Sequence, residues 1–331
     1  MGIETEYLAL YVDDIVLATA SAERVETIKS ELASIFALKD VGSLQNLLGM
    51  KVVRQDRTYC ITQPKILHGL AAERSGQEYR AVPMTRSSAS CMETDLTEEE
   101  RKEYQTTTGI LLYLSRKSRP DIAYAVGVLS RSVSEPTQKA LRDLRWLVGY
   151  LRNTPDYQMI IRGGGMEIRG WTDASFAEDG DRKSTSGYVV KIGLDTIAWG
   201  SKKQSTVATS TLEAEYVAMS ECARTVKWVK MLLEHDFHEK LDGQTRIFCD
   251  NMGAIEIAHN PTHHFRSKHI DVKFHHVRDL IEEGEIELKY VASDLNVADI
   301  MTKPLNKTKH HNHRAQLGLA KASGGVLSEM P

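Results

Sequence analysis

The chain has 331 residues, 41% of them hydrophobic and 26% charged, and a formal net charge of −3. That length exceeds one ordinary core and points to two domains, and the balance excludes a disordered or fibrous chain and any global basic field, though not a local basic groove. No apolar run reaches the ~18 residues of a membrane span and no basic-then-apolar leader opens the chain, while four scattered cysteines without a C-x-x-C pair exclude a zinc ribbon and fit the reduced thiols of an intracellular, non-secreted protein.

In chain order, "YLALYVDDIVLATA" reads as strand, tight turn and strand, with Asp13 and Asp14 at the turn. Paired acids at such a turn hold a divalent metal only with a further carboxylate, and only twelve residues precede Asp13. "SAERVETIKSELASIFAL" has helical spacing, with Val25, Ile28, Leu32 and Ile35/Phe36 on one face. "LLGMKVVRQDRTYCITQ" predicts a hairpin turning around Gln55-Asp56-Arg57, followed by a polar connector near 85–97. Three helices are expected at 98–116, 120–134 and 136–153, with Pro120 and Pro136 at helix starts, where a missing N–H costs little. The pattern then breaks in "RNTPDYQMIIRGGGMEIRG". Gly163-Gly164-Gly165 lack the spacing of a phosphate cradle and read as a turn at a domain boundary.

From Met166 the elements alternate differently: a strand at "MEIRGWTDASFA", a hairpin at "SGYVVKIGLDTIAWGSKKQ", a long helix over 211–237, a strand at "TRIFCD", helices near 252–259 and 269–283, and a strand at "EIELKYVA". This order predicts an α/β (α+β) domain with a mixed sheet covered by helices. After Pro304 the polar, basic "LNKTKHHNHRAQ" is expected to fray, and His310, His311 and His313 belong to that tail.

Four acids in the second half fall at element ends: Asp173, Glu215, Asp250 and Asp299. Only a folded domain can gather residues so far apart, and an all-oxygen set suits hard Mg2+. Two such ions activate a water and stabilise the leaving oxygen of a phosphodiester. Each acid also has a plainer explanation: a loop acid before "EDGD" for Asp173, a helix cap with Asn251 and Gly253 for Asp250, a dipole-favoured first turn for Asp299. Ser210 and Glu213 have capping-box spacing, which leaves Glu215, flanking the apolar face, as the ligand.

"GWTDASFA", "STSGYVV", "WGSKKQSTVATSTLEAEYVA", "IFCDNMGAI", "KHIDVKFHHVRDLI" and "LNVADIMTKPL" resemble, in order, the ribonuclease H domain of copia-type LTR retrotransposon Pol polyproteins. "LYVDDIVLA" resembles the reverse transcriptase catalytic turn, and "LLGMKV", "YCITQPKIL", "LLYLSRKSRPDIAYAV" and "YLRNTPD" resemble the stretch between polymerase and ribonuclease H. The resemblance implies a ribonuclease H-like five-stranded mixed sheet over 166–305, a partial reverse transcriptase palm and helical connection over 1–157, and a tail over 306–331. It places the metal quartet on Asp173, Glu215, Asp250 and Asp299, served by two Mg2+ ions or by Mn2+. It makes Asp13 and Asp14 part of a polymerase site whose other acid lies on an earlier strand, so polymerisation by this chain alone is not expected. Ribonucleases H generally carry a product-release histidine before the last aspartate; here Ala292-Ser293-Asp294 occupies that region, with His275 and His276 as distant substitutes.

The implied substrate is an RNA–DNA hybrid, told from other duplexes by its 2′-hydroxyls, and the implied protein partner is the N-terminal part of reverse transcriptase. Arg182, Lys183, Ser184, Lys202 and Lys203, with Thr185, Ser186 and Trp199 nearby, are candidate contacts to the nucleic-acid backbone. Arg116, Lys117 and Arg119 form a second basic patch. The competing reading is a catalytically inactive remnant that at most binds nucleic acid or another protein.

Overall fold

The structure is a computed structural model that describes residues 6–72, 78–86, 95–177, 181–260 and 268–322. Its first elements are β1 (Tyr7–Tyr11), β2 (Asp14–Ala18) and α1 (Ala22–Ile35). β1 and β2 pair antiparallel with Tyr11 opposite Asp14, so Val12 and Asp13 make the turn. Ser21 starts α1, its side chain accepting from the Arg24 N–H. The expected apolar face of α1 forms, but no residue of this helix is fully buried. Leu8, Leu10, Val12, Ile35, Phe36 and Val41 are all exposed. This segment is held through Tyr7, which donates to Glu239 and packs edge-on against Phe237.

β3 (Asn46–Leu47), β4 (Met50–Gln55) and β5 (Thr58–Thr62) follow, the last two forming the expected hairpin. Asp56 takes a positive φ of 53° at its turn, a conformation Asp tolerates better than most residues. After α2 (Pro64–Ala72), the helices α3 (Glu98–Lys117), α4 (Ala123–Ser130) and α5 (Gln138–Asn153) fall where the apolar spacing predicts. Thr97 and Glu100 close a capping box on α3, and Thr137 caps α5. Leu111, Leu114, Ile122, Leu141, Leu144 and Leu147 form the core between them.

β6 (Tyr157–Ile161) was not expected, since its apolar run is short and abuts glycines. It pairs with β5. Gly163, Gly164 and Gly165 all have positive φ, which only glycine adopts readily, so the turn reading of this triplet holds. The buried Asp195 carboxylate accepts from the N–H groups of Arg162 and Gly163 at 2.7–3.0 Å and fixes the turn.

The second sheet comprises β7 (Ile168–Ser175), β8 (Thr185–Ile192), β9 (Asp195–Lys203), β10 (Thr245–Cys249) and β11 (Ile286–Tyr290), in the order β11-β10-β7-β8-β9. β7, β8 and β9 form an antiparallel meander, while β10 runs parallel to both β7 and β11. The helices are α6 (Thr211–Met231), continued by a wider turn over Leu232–Asp236, α7 (Met252–His259) and α8 (Lys268–Glu282). Tyr216, Met219, Ala223 and Val226 of α6 pack on Ile247 and Cys249 of the sheet. This is the mixed five-stranded α/β fold expected from the order of elements.

The expected frayed tail is corrected over residues 306–322, while 323–331 lie outside the described residues. Asn306 caps α9 (Lys307–Gln316), and β12 (Leu319–Lys321) pairs with β6, completing a sheet in the order β12-β6-β5-β4-β3. Polar composition misleads here because α9 buries its polar groups against partners. His310 lies 3.3 Å from the Asp121 carbonyl, and Arg314 donates to the Tyr150 and Tyr157 hydroxyls. Among the described residues no helix is long and apolar enough to cross a membrane.

Candidate metal centre

Asp173 lies near the C-terminal end of β7, paired in register with Gly187 of β8. That glycine decides the geometry. A Cβ there would lie 2.5 Å from Thr302 Cγ2 and 2.7 Å from Met301 Cβ, so only glycine lets the turn over Val297–Met301 rest on the sheet. Asn296 pins the same turn: its side chain donates to the Thr172 carbonyl at 2.9 Å and accepts from the Ala298 N–H. Asp299, fully buried in that turn, is thereby brought against Asp173.

Asp250 follows β10. The helix after it is capped by Asn251, which accepts from the Ala254 N–H, so the cap explanation of Asp250 falls away. Glu215 is buried in the first turns of α6. Ser210 accepts from the Glu213 N–H, but Glu213 returns its carboxylate to the N–H and hydroxyl of Thr209, one residue before the cap. The expected box is corrected in that detail, and Glu213 is still occupied by helix capping rather than turned to the acids.

The carboxylates form two overlapping groups, Asp173–Asp250–Asp299 and Glu215–Cys249–Asp250, the ligand atoms within each lying within 4.8 Å of one another. Asp250 belongs to both. Burial pushes the Asp173 carboxyl up to about 6, with Asp299 and Asp250 adding to the effect and Lys303 and Thr302 opposing it. Burial, then Asp173 and Asp250, push Glu215 well above the usual carboxylate range. Its Oε2 is buried without a hydrogen-bond partner. Like charges concentrated out of water are costly unless a cation joins them. A divalent ion fits this donor set. Burial also raises the Cys249 thiol, so it stays neutral and is a weak ligand beside the acids.

Two residues that sequence reasoning missed reach this cluster. Lys303 lies 2.8 Å from Asp299 Oδ1 and 3.4 Å from Asp173 Oδ2, and Lys309 of α9 lies 2.6 Å from Asp299 Oδ2. The i,i+4 spacing from Asp299 could have flagged Lys303. No signal flagged Lys309, because its helix was read as a frayed tail. His275 and His276 belong to neither acid group.

Asp13 and Asp14 are exposed at their hairpin, and among the described residues no third ligand joins them in a metal-holding group. Val12 beside them has φ 54°, a strained value for a β-branched residue.

The nucleic-acid candidates separate into free and committed side chains. Arg182 and Lys202 are exposed, whereas Lys203 pairs with Asp181 at 2.8 Å. The backbone N–H of Lys183 donates to the same aspartate. Ser184 is fully buried and its hydroxyl accepts from the Ala177 N–H, so it shapes the loop and offers nothing to a strand. Thr185 and Ser186 are buried too, and the Trp199 indole donates to the Ser115 carbonyl across to α3. In the second patch Arg119 is a correction: it is wholly buried, forked onto Asp121 and bonded to Thr154. Arg116 instead joins Lys202, Arg224 and the exposed Trp228 along a groove of about 740 Å³ between α3–α4 and β9–α6.

A family profile described as reverse transcriptase (RNA-dependent DNA polymerase) matches residues 2–76. The retrovirus-related Pol polyprotein from transposon TNT 1-94 of Nicotiana tabacum is 32% identical over 326 residues, covering 94% of this chain and 24% of the relative. The corresponding polyprotein from transposon RE1 of Arabidopsis thaliana is 31% identical over 324 residues, covering 97% of this chain and 22% of the relative. The chain therefore spans about a quarter of the length of these curated relatives. Among solved structures, a foamy viral protease-reverse transcriptase in complex with RNA/DNA hybrid matches 98% of this chain and 38% of its own, with a TM-score of 0.50 and 13% identity. That likeness speaks to the fold alone.

Proposed function

Because the chain belongs to the Pol polyproteins of copia-type LTR retrotransposons, we propose that its acid cluster is a ribonuclease H centre that hydrolyses the RNA strand of RNA–DNA hybrids. The observation that carries this reading is the pair of acid groups sharing Asp250. A pair of divalent cations held by clustered carboxylates is an arrangement that phosphodiester hydrolysis uses. Asp173, Glu215, Asp250 and Asp299 would hold the Mg2+ ions, and Mn2+ would suit the same oxygens. When bound, such ions supply the Lewis acidity that activates a water and stabilises the leaving oxygen.

The chain's own residues do the rest. The Val297–Met301 turn, pressed on Gly187, fixes Asp299 relative to Asp173. α6 delivers Glu215 from its first turns. Arg182 and Lys202, with Arg116 across the groove, are the cations available to phosphates, and contacts of this kind weaken steeply with salt. We assign residues 166–305 to the ribonuclease H unit and 1–157 to the reverse transcriptase palm and connection.

The test follows a labelled RNA strand paired with DNA in Mg2+, comparing the wild type with Asp250→Asn. Cutting by the wild type alone, with RNA–RNA duplex spared, supports the assignment. Binding of the hybrid by both proteins without cutting refutes it and leaves a nucleic-acid-binding remnant.

A further inference from the structure

The hydrolytic reading leaves two charged side chains at the cluster unexplained, Lys303 and Lys309. Lys309 comes from α9, well beyond the acids in sequence, and its Nζ lies 2.6 Å from Asp299 Oδ2, 3.0 Å from the Ser293 carbonyl and 3.4 Å from Asp294 Oδ1. It is not a loose surface lysine. Asn306 accepts from the Lys309 N–H at the helix cap. One turn on, Arg314 stacks over Tyr157 at 4.0 Å and donates to the Tyr150 and Tyr157 hydroxyls. Leu317 is fully buried beside Val297 and Ile300, in the same small core as the turn that carries Asp299. The position of Lys309 is thus set by the packing of α9, not by the acids alone.

We propose that Lys309 is an internal counter-ion that competes with divalent metal for Asp299, so that α9 sets the metal affinity of the centre; this rests on reading the cluster as a metal centre. Four carboxylates bring four formal negative charges, and the ammoniums of Lys303 and Lys309 cancel half of them. Both ammoniums stand on the Asp173–Asp250–Asp299 group. A divalent ion entering it must share Asp299 with Lys309 or displace it, and a like charge so close repels the ion even under water-like screening. Lys309 in turn stabilises the metal-free protein, because it neutralises an otherwise costly buried acid. It is a positioning residue, acting through Asp299.

The experiment titrates Mg2+ into the full chain by calorimetry at low ionic strength, without nucleic acid, and records thermal unfolding in EDTA and in Mg2+. Lys309→Met and Lys309→Gln should bind Mg2+ roughly tenfold more tightly than the wild type. They should also melt earlier in EDTA and gain more from Mg2+, while Lys309→Arg stays within about twofold of the wild type. Wild-type binding that Asp250→Asn abolishes, combined with unchanged or weaker binding by the Met and Gln variants, overturns the role of Lys309 and leaves the metal centre standing. Equal Mg2+ binding by the wild type and Asp250→Asn removes the metal centre and the proposal with it. If the Met variant does not fold, Gln carries the comparison.

Discussion

Gly187→Ala is the smallest change that should disturb the acid cluster without touching an acid. The added methyl would lie 2.5 Å from Thr302 Cγ2, 2.7 Å from Met301 Cβ and 3.2 Å from the Ala298 carbonyl oxygen. The first two distances are well inside contact, and the third group is backbone, so the turn over Val297–Met301 must lift from the sheet. Overpacking of this kind costs about 1–3 kcal/mol. Relief of chain entropy in the unfolded state returns about 0.4–1 kcal/mol of that. A net destabilisation of about 1–2 kcal/mol follows, read as a lower denaturant midpoint at unchanged slope. Asp299 moves with the turn, so Mg2+ affinity should fall as well, at least severalfold. A Gly187→Ala protein with unaltered stability and unaltered Mg2+ affinity would refute the reasoning that this strand–turn contact sets the separation of Asp173 and Asp299.

Further outcomes follow from the same physical arguments. Gly109→Ala, inside α3 with nothing within 4 Å of the new methyl, should raise stability by about 0.5–1 kcal/mol in a denaturation experiment. Arg119→Met should cost about 3–5 kcal/mol, since burial opposes the Asp121 charge and Arg119 is what holds that carboxyl down at about 2; a loss under about 1 kcal/mol would mean the pair is not buried as described. The contribution of Asp173 to the pH dependence of the metal-free protein has a definite sign, opposite to that of the buried His310. The Asp173 carboxyl is raised from 3.8 to about 6 on folding, so its protonated form favours the native state, and that contribution is complete below about pH 4 and lost as pH rises through about 6. In EDTA, Asp173→Asn should remove this contribution, so that stability relative to the wild type rises as pH increases between those values, and in the wild type Mg2+ binding should weaken as pH falls through the same window.

Most of the second half was legible because its elements carry regular signals. Alternating strands, the 3–4 spacing of α6 and polar residues at element ends gave the mixed sheet and singled out Asp173, Glu215, Asp250 and Asp299. The helices α3, α4 and α5 were legible for the same reason. What failed depended on partners distant in sequence. α9 reads as a solvated tail until Tyr150, Tyr157 and Asp121 are seen to take up Arg314 and His310, and with it went any view of Lys309. β6 is five residues beside a glycine run, and only its pairing with β5 and β12 makes it a strand. Arg119 looked like a surface cation because a charged side chain is rarely wholly buried, and nothing local announces its fork onto Asp121. Ser184 looked like a surface donor because its neighbours are polar, whereas it is buried and its hydroxyl accepts from the Ala177 N–H.

The account turns on whether this cluster of four carboxylates holds two metal ions. Anomalous scattering from manganese, in crystals of the chain bound to an uncleavable RNA–DNA hybrid, tests this directly. Two peaks are predicted, both in contact with carboxylates of this cluster. Absence of any peak at these carboxylates, or manganese bound only elsewhere on the protein, would contradict the account.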